Sequence, residues 1–303
     1  MLDSLLYSLI FTSRHSIQGF IVTAFLDDIT IYPIKSTRGI SLAQSSVAFA
    51  GLIGDRRYML VNSEGKFVTA RKDYLLSLIQ VEHHGNDKLT LSYQDQQIVI
   101  DPDTFTAEYE ATVIWKTDVQ GQVCGKQYDE WFSRILGKAV RLVYFGDQSS
   151  RFTSRRPEQP VAFADGYPFL IASRASLRAL AERCPEEVQM ERFRPNIVID
   201  GCEAFAEDTW AIFKIGDVVF ETIKPCIRCI FTTLNPNTAE KSPQGEPFKT
   251  LCQFRQLVED GKPQGPTFGM NLVALNEGVI KQGDQVKVLE YRTSEMYQDK
   301  SKA

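Results

Sequence analysis

Histidine is scarce in this chain. Only His15, His83 and His84 occur among 303 residues. A single CxxC pair, Cys226 and Cys229, stands without a second one, so a closed four-ligand zinc site would need distant partners. Six cysteines in a chain this long make no disulfide framework. Widely spaced thiols point to a reducing compartment and a cytoplasmic protein. No run of about 18 apolar residues exists, so no helical membrane span is expected. The apolar run Leu5–Phe11 is short, broken by Ser8 and preceded by Asp3, with no small-residue cleavage site after it. It reads as part of an N-terminal extension over residues 1–21, not as a secretion signal. Basic charge is not in excess either: 34 Lys+Arg stand against 38 Asp+Glu, a formal net charge of −4. General nucleic-acid binding is therefore not expected, although local basic clusters can still take small anions. G-x-x-x-x-G-K-S/T, G-x-G-x-x-G and G-x-S-x-G are all missing. ATP and NAD have no standard cradle, and there is no nucleophile elbow.

What is present is an ordinary globular composition, 43% hydrophobic and 24% charged, with a length that suits about two domains. The first part reads as β. Strands are expected at Ile29–Ile34, at Arg57–Val61 and Lys66–Ala70 around an Asn62–Gly65 turn, in a meander over residues 78–100, and at Tyr109–Trp115. Tyr128, Trp131, Phe132, Ile135 and Leu136 keep helical spacing, with Gly137 placed as a C-terminal cap. Val140–Phe145 is then a strand. The polar stretch Gly146–Pro160 is the expected boundary. Beyond it, Ser173 caps a helix reaching about Cys184. Strands are expected at Asn196–Ile199, Val218–Ile223, Leu272–Leu275 and Gln285–Leu289, with a helix over Phe248–Val258. Many short strands with few helices suggest a barrel, so the fold class is mainly β with some α. The divisions are 22–146 for a first β-barrel-like domain, 147–290 for a second, and a loose polar tail over 291–303.

Three groups can carry chemistry. Lys224 just before the Cys226/Cys229 pair and Arg228 within it are basic neighbours that would lower an adjacent thiol's pKa. A thiolate there suits a soft or high-valent metal whose other ligands come from a cofactor. Two buried thiols, a zinc site and a dithiol redox pair are the other readings of the same spacing. Arg192, Arg194 and Asn196 precede a strand, where they can grip a phosphate or a planar heterocycle, or can simply be a solvated strand entry. Lys35 and Ser36 offer an ammonium, a hydroxyl and free backbone N–H groups at a strand end, with Arg56 nearby in Gly54-Asp55-Arg56-Arg57-Tyr58.

Together these stretches resemble the MOSC proteins that join an N-terminal β-barrel domain to a MOSC domain, in particular the mitochondrial amidoxime-reducing component and bacterial YcbX-type molybdenum enzymes. In the first half the likeness is carried by Ile31–Ser36, Gly54–Val61 and Phe67–Arg71. In the second it is carried by Ala164–Pro168, Phe193–Val198, Glu207–Trp210, Cys226–Cys229 and Phe268–Asn271. They fall in the family's order over about residues 25–290.

The resemblance implies a mononuclear molybdenum–molybdopterin cofactor, with Cys229 binding the metal. Lys35, Ser36 and Arg56 from the first domain and Arg194, Asn196 and Arg228 from the second match cofactor-holding positions. Asn271 falls where the mitochondrial relatives carry Tyr against the cofactor. Asp165 lies in a matching loop and is expected to orient substrate or cofactor, with a turn-capping role as the plain alternative. The implied reaction is two-electron oxygen removal from N-hydroxylated bases, amidoximes or hydroxylamines. A non-catalytic carrier of cofactor or sulfur is the alternative. No four-cysteine iron–sulfur pattern follows, so electrons are expected from a separate ferredoxin- or flavoprotein-type donor unless the chain is a truncated form. A pyridoxal phosphate-binding superfamily assignment is also among the expectations.

Overall fold

Alternating burial along Phe25–Ile31 marks a strand with one face turned inward: Leu26, Ile29 and Ile31 are fully buried. This strand belongs to a ten-stranded sheet in the computed structural model, which describes residues 24–300. The expected extension over 1–21 lies outside the described residues. Along its main path the sheet runs Val286–Tyr291, Trp210–Ile215, Val218–Ile227, Lys262–Ala274, Phe169–Ser173, Ile197–Asp200, Phe25–Ile31 and Ile40–Leu42. Strands from the start of the chain are thus sheet neighbours of strands from its second half. Phe25–Ile31 pairs antiparallel with Ile197–Asp200, and Gln44–Ala48 pairs with Gly278–Lys281. Ile29, Ile31, Phe169, Ile171, Phe213 and Phe220 share one buried cluster under this sheet.

A second core forms around the helix α1, Lys126–Leu136. Its Tyr128, Trp131, Phe132 and Ile135 pack with Leu60, Leu76 and Leu142. Gly137 closes it with φ 63°, the left-handed cap expected of glycine. Burying a side chain such as Phe132 contributes about 1.5–3 kcal/mol. The helix α2, Arg174–Ala181, starts as expected, with Ser173 Oγ accepting the Ser176 N–H at 3.0 Å. The meander is also as read: Gln80–His83, Leu89–Tyr93 and Gln96–Ile100 pair in sequence. The chain is mostly β, as its pattern of short strands implies. Among the described residues no helix is long and apolar enough to cross a membrane.

Other expectations need correction. The turn after Val61 forms, but Lys66–Ala70 makes only isolated bridges, Val61 with Phe67 and Lys66 with Val113, and is not a strand. The helix α3 covers Phe248–Phe254 and stops there. Gln256–Glu259 is a strand, because Asp260 and Gly261 take φ 49° and 72° and turn the chain back into Lys262–Ala274. Asp-Gly is a strong hairpin signal that the apolar spacing obscured. That long strand was expected only at its end, because Pro263, Gly265 and Pro266 read as breakers. Register shifts opposite them absorb the disruption. The tail is docked through residue 298: Tyr297–Gln298 pairs with Gln256–Glu259, and the Arg255 guanidinium lies 3.8 Å from the Tyr297 ring centre. Polarity alone does not disclose that a buried arginine needs this aromatic cover.

Candidate active site

The sheet brings several strand ends to one place. Ile197–Asp200 runs parallel to Phe169–Ser173 and antiparallel to Phe25–Ile31. The entries of the first two therefore meet the exit of the third. Arg194 and Asn196, Asp165, and Lys35 and Ser36 follow from that geometry. Val218–Ile227 lies antiparallel to Lys262–Ala274, with Lys224 opposite Asn271. Register shifts at Thr222/Lys224 and Pro225/Ile227 bend the strand just before Cys229. Gly269 allows the tight packing beside it. Its φ is 77°, and a Cβ there would stand 2.5 Å from the Ile171 carbonyl oxygen.

All these ends open into a cleft of about 480 Å³. Cys229, Asp165 and Asn271 line it, as do the six other residues singled out from the sequence: Lys35, Ser36, Arg56, Arg194, Asn196 and Arg228. Six cationic side chains face one carboxylate in this lining, since Arg71 and Lys224 join the four above and Asp165 is the only acid.

Lys35 is buried. Its Nζ donates to the Phe163 carbonyl at 2.9 Å and to Asp165 Oδ1 at 2.5 Å. Burial lowers its pKa to about 8, against the opposing pull of Asp165. Asp165 keeps over half of its side chain open to the cleft. The protein around it pushes its carboxyl up, but Lys35 and Arg71 outweigh that and hold it below the usual carboxylate range. Arg151, itself buried, donates to the carbonyls of Ala162, Ala164 and Asp165 and fixes the loop.

Arg56 and Arg194 both lie over the Tyr32 ring, at 4.2 and 4.0 Å from its centre. Arg56 is held by Asp55 at 2.7 Å and bonds the Arg194 carbonyl at 3.2 Å. Arg194 donates to the Thr37 carbonyl, and burial lowers its pKa to about 10. Arg228 donates to Cys226 Sγ at 2.9 Å and to the Phe193 carbonyl at 2.7 Å. Its guanidinium therefore engages Cys226, while Cys229 stands just before the short turn that follows and makes no side-chain hydrogen bond to it. The Asn196 amide bonds Thr30 O and Leu170 N–H, tying two strands together. Asn271 Nδ2 reaches the carbonyls of Lys224 and Pro225.

Four cleft residues other than glycine carry left-handed backbone: Ser36, Arg56, Trp115 and Arg194, with φ of 77°, 47°, 57° and 55°. Each such conformation costs on the order of 1–3 kcal/mol and persists where surrounding structure imposes it. Tyr32, Arg71, Trp115 and Arg151 are not among the site residues expected from the sequence, although Tyr32 lies in the matching stretch Ile31–Ser36. Arg71 ends one of the matching stretches. The β pattern predicts Trp115 as the last residue of a strand, but it stands in the turn after Tyr109–Ile114.

Among the described residues no three His, Cys, Asp or Glu side chains group as a metal site. A metal at Cys229 would need ligands brought by a cofactor. The cleft suits such a group. It offers two thiols and a cationic wall, and the buried Nε of Arg228 has no hydrogen-bond partner among the described residues.

Comparison with known proteins adds the family. The MOSC N-terminal beta barrel domain family model matches residues 23–139, and the MOSC domain family model matches residues 158–287. Mitochondrial amidoxime-reducing component 1 of Homo sapiens is 36% identical over 279 residues, covering 86% of this chain and 81% of that one. Mitochondrial amidoxime reducing component 2 of Rattus norvegicus is 33% identical over 274 residues, covering 84% and 80%. The Homo sapiens component 2 is 32% identical over 272 residues, covering 84% and 81%. The pyridoxal phosphate expectation finds no support in these matches. With a MOSC N-terminal β-barrel domain ahead of a MOSC domain, and relatives of this identity along most of its length, the chain belongs to the MOSC family that includes the mitochondrial amidoxime-reducing components.

Proposed function

We propose that this chain is a molybdenum cofactor-dependent reductase of N-hydroxylated compounds. The observation that carries this reading is the convergence of Cys229 with Lys35, Arg56 and Arg194 on one cleft, although these residues come from both halves of the chain. The names of the amidoxime-reducing relatives support it.

When bound, the molybdenum–molybdopterin cofactor supplies two-electron chemistry: an N–O bond breaks, two electrons and two protons are taken up, and the parent amine, imine or amidine leaves with one water. The chain supplies the rest. Cys229 Sγ is the metal's protein ligand. Lys35, Ser36, Arg56 and Arg194 hold the cofactor's phosphate through charge-assisted bonds, and Arg228, Asn196 and Asn271 shape the wall beside it. Asp165, ionised and partly open to the cleft, orients the substrate's N–H groups. The electrons come from a separate redox protein.

The test is the metal and the turnover together. Protein from a host that makes the cofactor is expected to hold molybdenum and to reduce an amidoxime with an artificial donor. Protein without molybdenum, or with molybdenum and no turnover, refutes the reductase. The second outcome leaves a carrier of the cofactor.

A further inference from the structure

Trp115 occupies an unusual position. Residues Trp115 and Lys116 form the two-residue turn between the paired strands Tyr109–Ile114 and Thr117–Val123. At φ 57°, Trp115 sits where such turns ordinarily place glycine. A bulky residue in that backbone region is a true outlier and calls for a reason. The residue is 46% exposed and lines the same cleft as Cys229, while the other two tryptophans, Trp131 and Trp210, are buried.

The ring is also held in place. Arg71 lies 4.3 Å from its centre, Phe67 packs at 5.1 Å, and Nε1 donates to Asp165 Oδ1 at 3.2 Å. Arg71 in turn bonds Asp165 Oδ2. A strained, half-open aromatic fixed on three sides beside a carboxylate is a preformed surface. A flat, conjugated molecule can lie on it while its N–H groups reach Asp165.

We infer that Trp115 is the specificity wall of the cleft, favouring planar, π-conjugated N-hydroxylated substrates over aliphatic ones. This rests on the reductase reading and names its substrate class. Trp115 is a positioning residue toward Asp165 and a contact surface toward the substrate. The two roles predict different losses. Losing the hold on Asp165 slows all substrates alike, whereas losing the aromatic face penalises only the conjugated ones.

The test uses the cofactor-loaded protein with reduced methyl viologen as donor, and compares kcat/KM for benzamidoxime and acetamidoxime. In Trp115→Leu, and in Trp115→Gly, which the turn accepts without strain, the benzamidoxime-to-acetamidoxime ratio is expected to fall roughly tenfold. Trp115→Phe should restore most of it. An unchanged ratio in both the Leu and Gly variants overturns the inference. If the wild type reduces neither amidoxime, the reductase reading fails and the wall is judged by binding alone. Saturable quenching of tryptophan fluorescence by benzamidine, absent in Trp115→Phe, would then sustain it, and no quenching in the wild type would overturn it.

Discussion

Lys35 Nζ and Asp165 Oδ1 meet at 2.5 Å across 130 positions of sequence, so the first strand's exit and the loop before Phe169 are pinned by one ion pair at the cleft wall. Burial holds Lys35 at about 8. It is an ammonium below that pH and loses its charge above it. Retention of an anionic cofactor is therefore expected to weaken as pH rises through about 8. Folding stability moves the other way, because between about 8 and the ordinary lysine value the unfolded chain binds the extra proton. Asp165→Asn removes an influence that raises Lys35, so cofactor loss should begin at lower pH. Molybdenum retained after gel filtration at a series of pH values checks this. An onset shared by wild type and Asp165→Asn would mean that another group governs retention.

Cys229→Ser is expected to abolish turnover with the circular dichroism spectrum intact. Cys226→Ser should be milder, because its sulfur is already engaged by Arg228 at 2.9 Å. Equal loss in both would point to a dithiol or zinc site.

Lys35→Ala and Arg194→Ala should each lower cofactor affinity by about 1.5–3 kcal/mol, the usual worth of a charged hydrogen bond, or roughly ten- to a hundredfold. Full metal content in both, after dialysis, would remove the phosphate assignment from this wall.

Those residues were legible in the sequence because each is a chemically extreme group beside a turn signal: Lys35-Ser36 after Pro33, Arg194 before Pro195, Cys229 in a CxxC. The α1 helix was legible because its apolar spacing, Tyr128 to Leu136, is unbroken. Trp115 was not, since a tryptophan at the end of a β pattern looks like one more strand residue. Lys262–Ala274 was not either, because prolines hide a strand whose bulges depend on its partners. Such features depend on contacts between distant segments, which periodicity does not report.

Gly269→Ala is expected to destabilise the fold by more than about 1 kcal/mol, since the added Cβ meets the Ile171 carbonyl at a positive φ. Denaturant melting gives the number. Wild-type stability would show that the sheet can shift there.

Asp208 and Arg255 are both buried and lie 2.7 Å apart, with Tyr297 over the guanidinium. Asp208→Ala leaves that charge alone and should cost about 3–5 kcal/mol. Truncation before Arg292 should also lower the melting temperature, by uncovering the same arginine. A truncated chain that melts like the intact one would show that residues 292–303 add no stability.

Because Phe25–Ile31 is hydrogen-bonded between Ile40–Leu42 and Ile197–Asp200, one of its two edges stays open until residues 197–200 have been made. A ribosome has to release Asn271 before the cleft has all its walls. On the proposed reading, a metal cofactor would enter only late in this protein's life. Neither half, made alone, would offer the cofactor a complete seat.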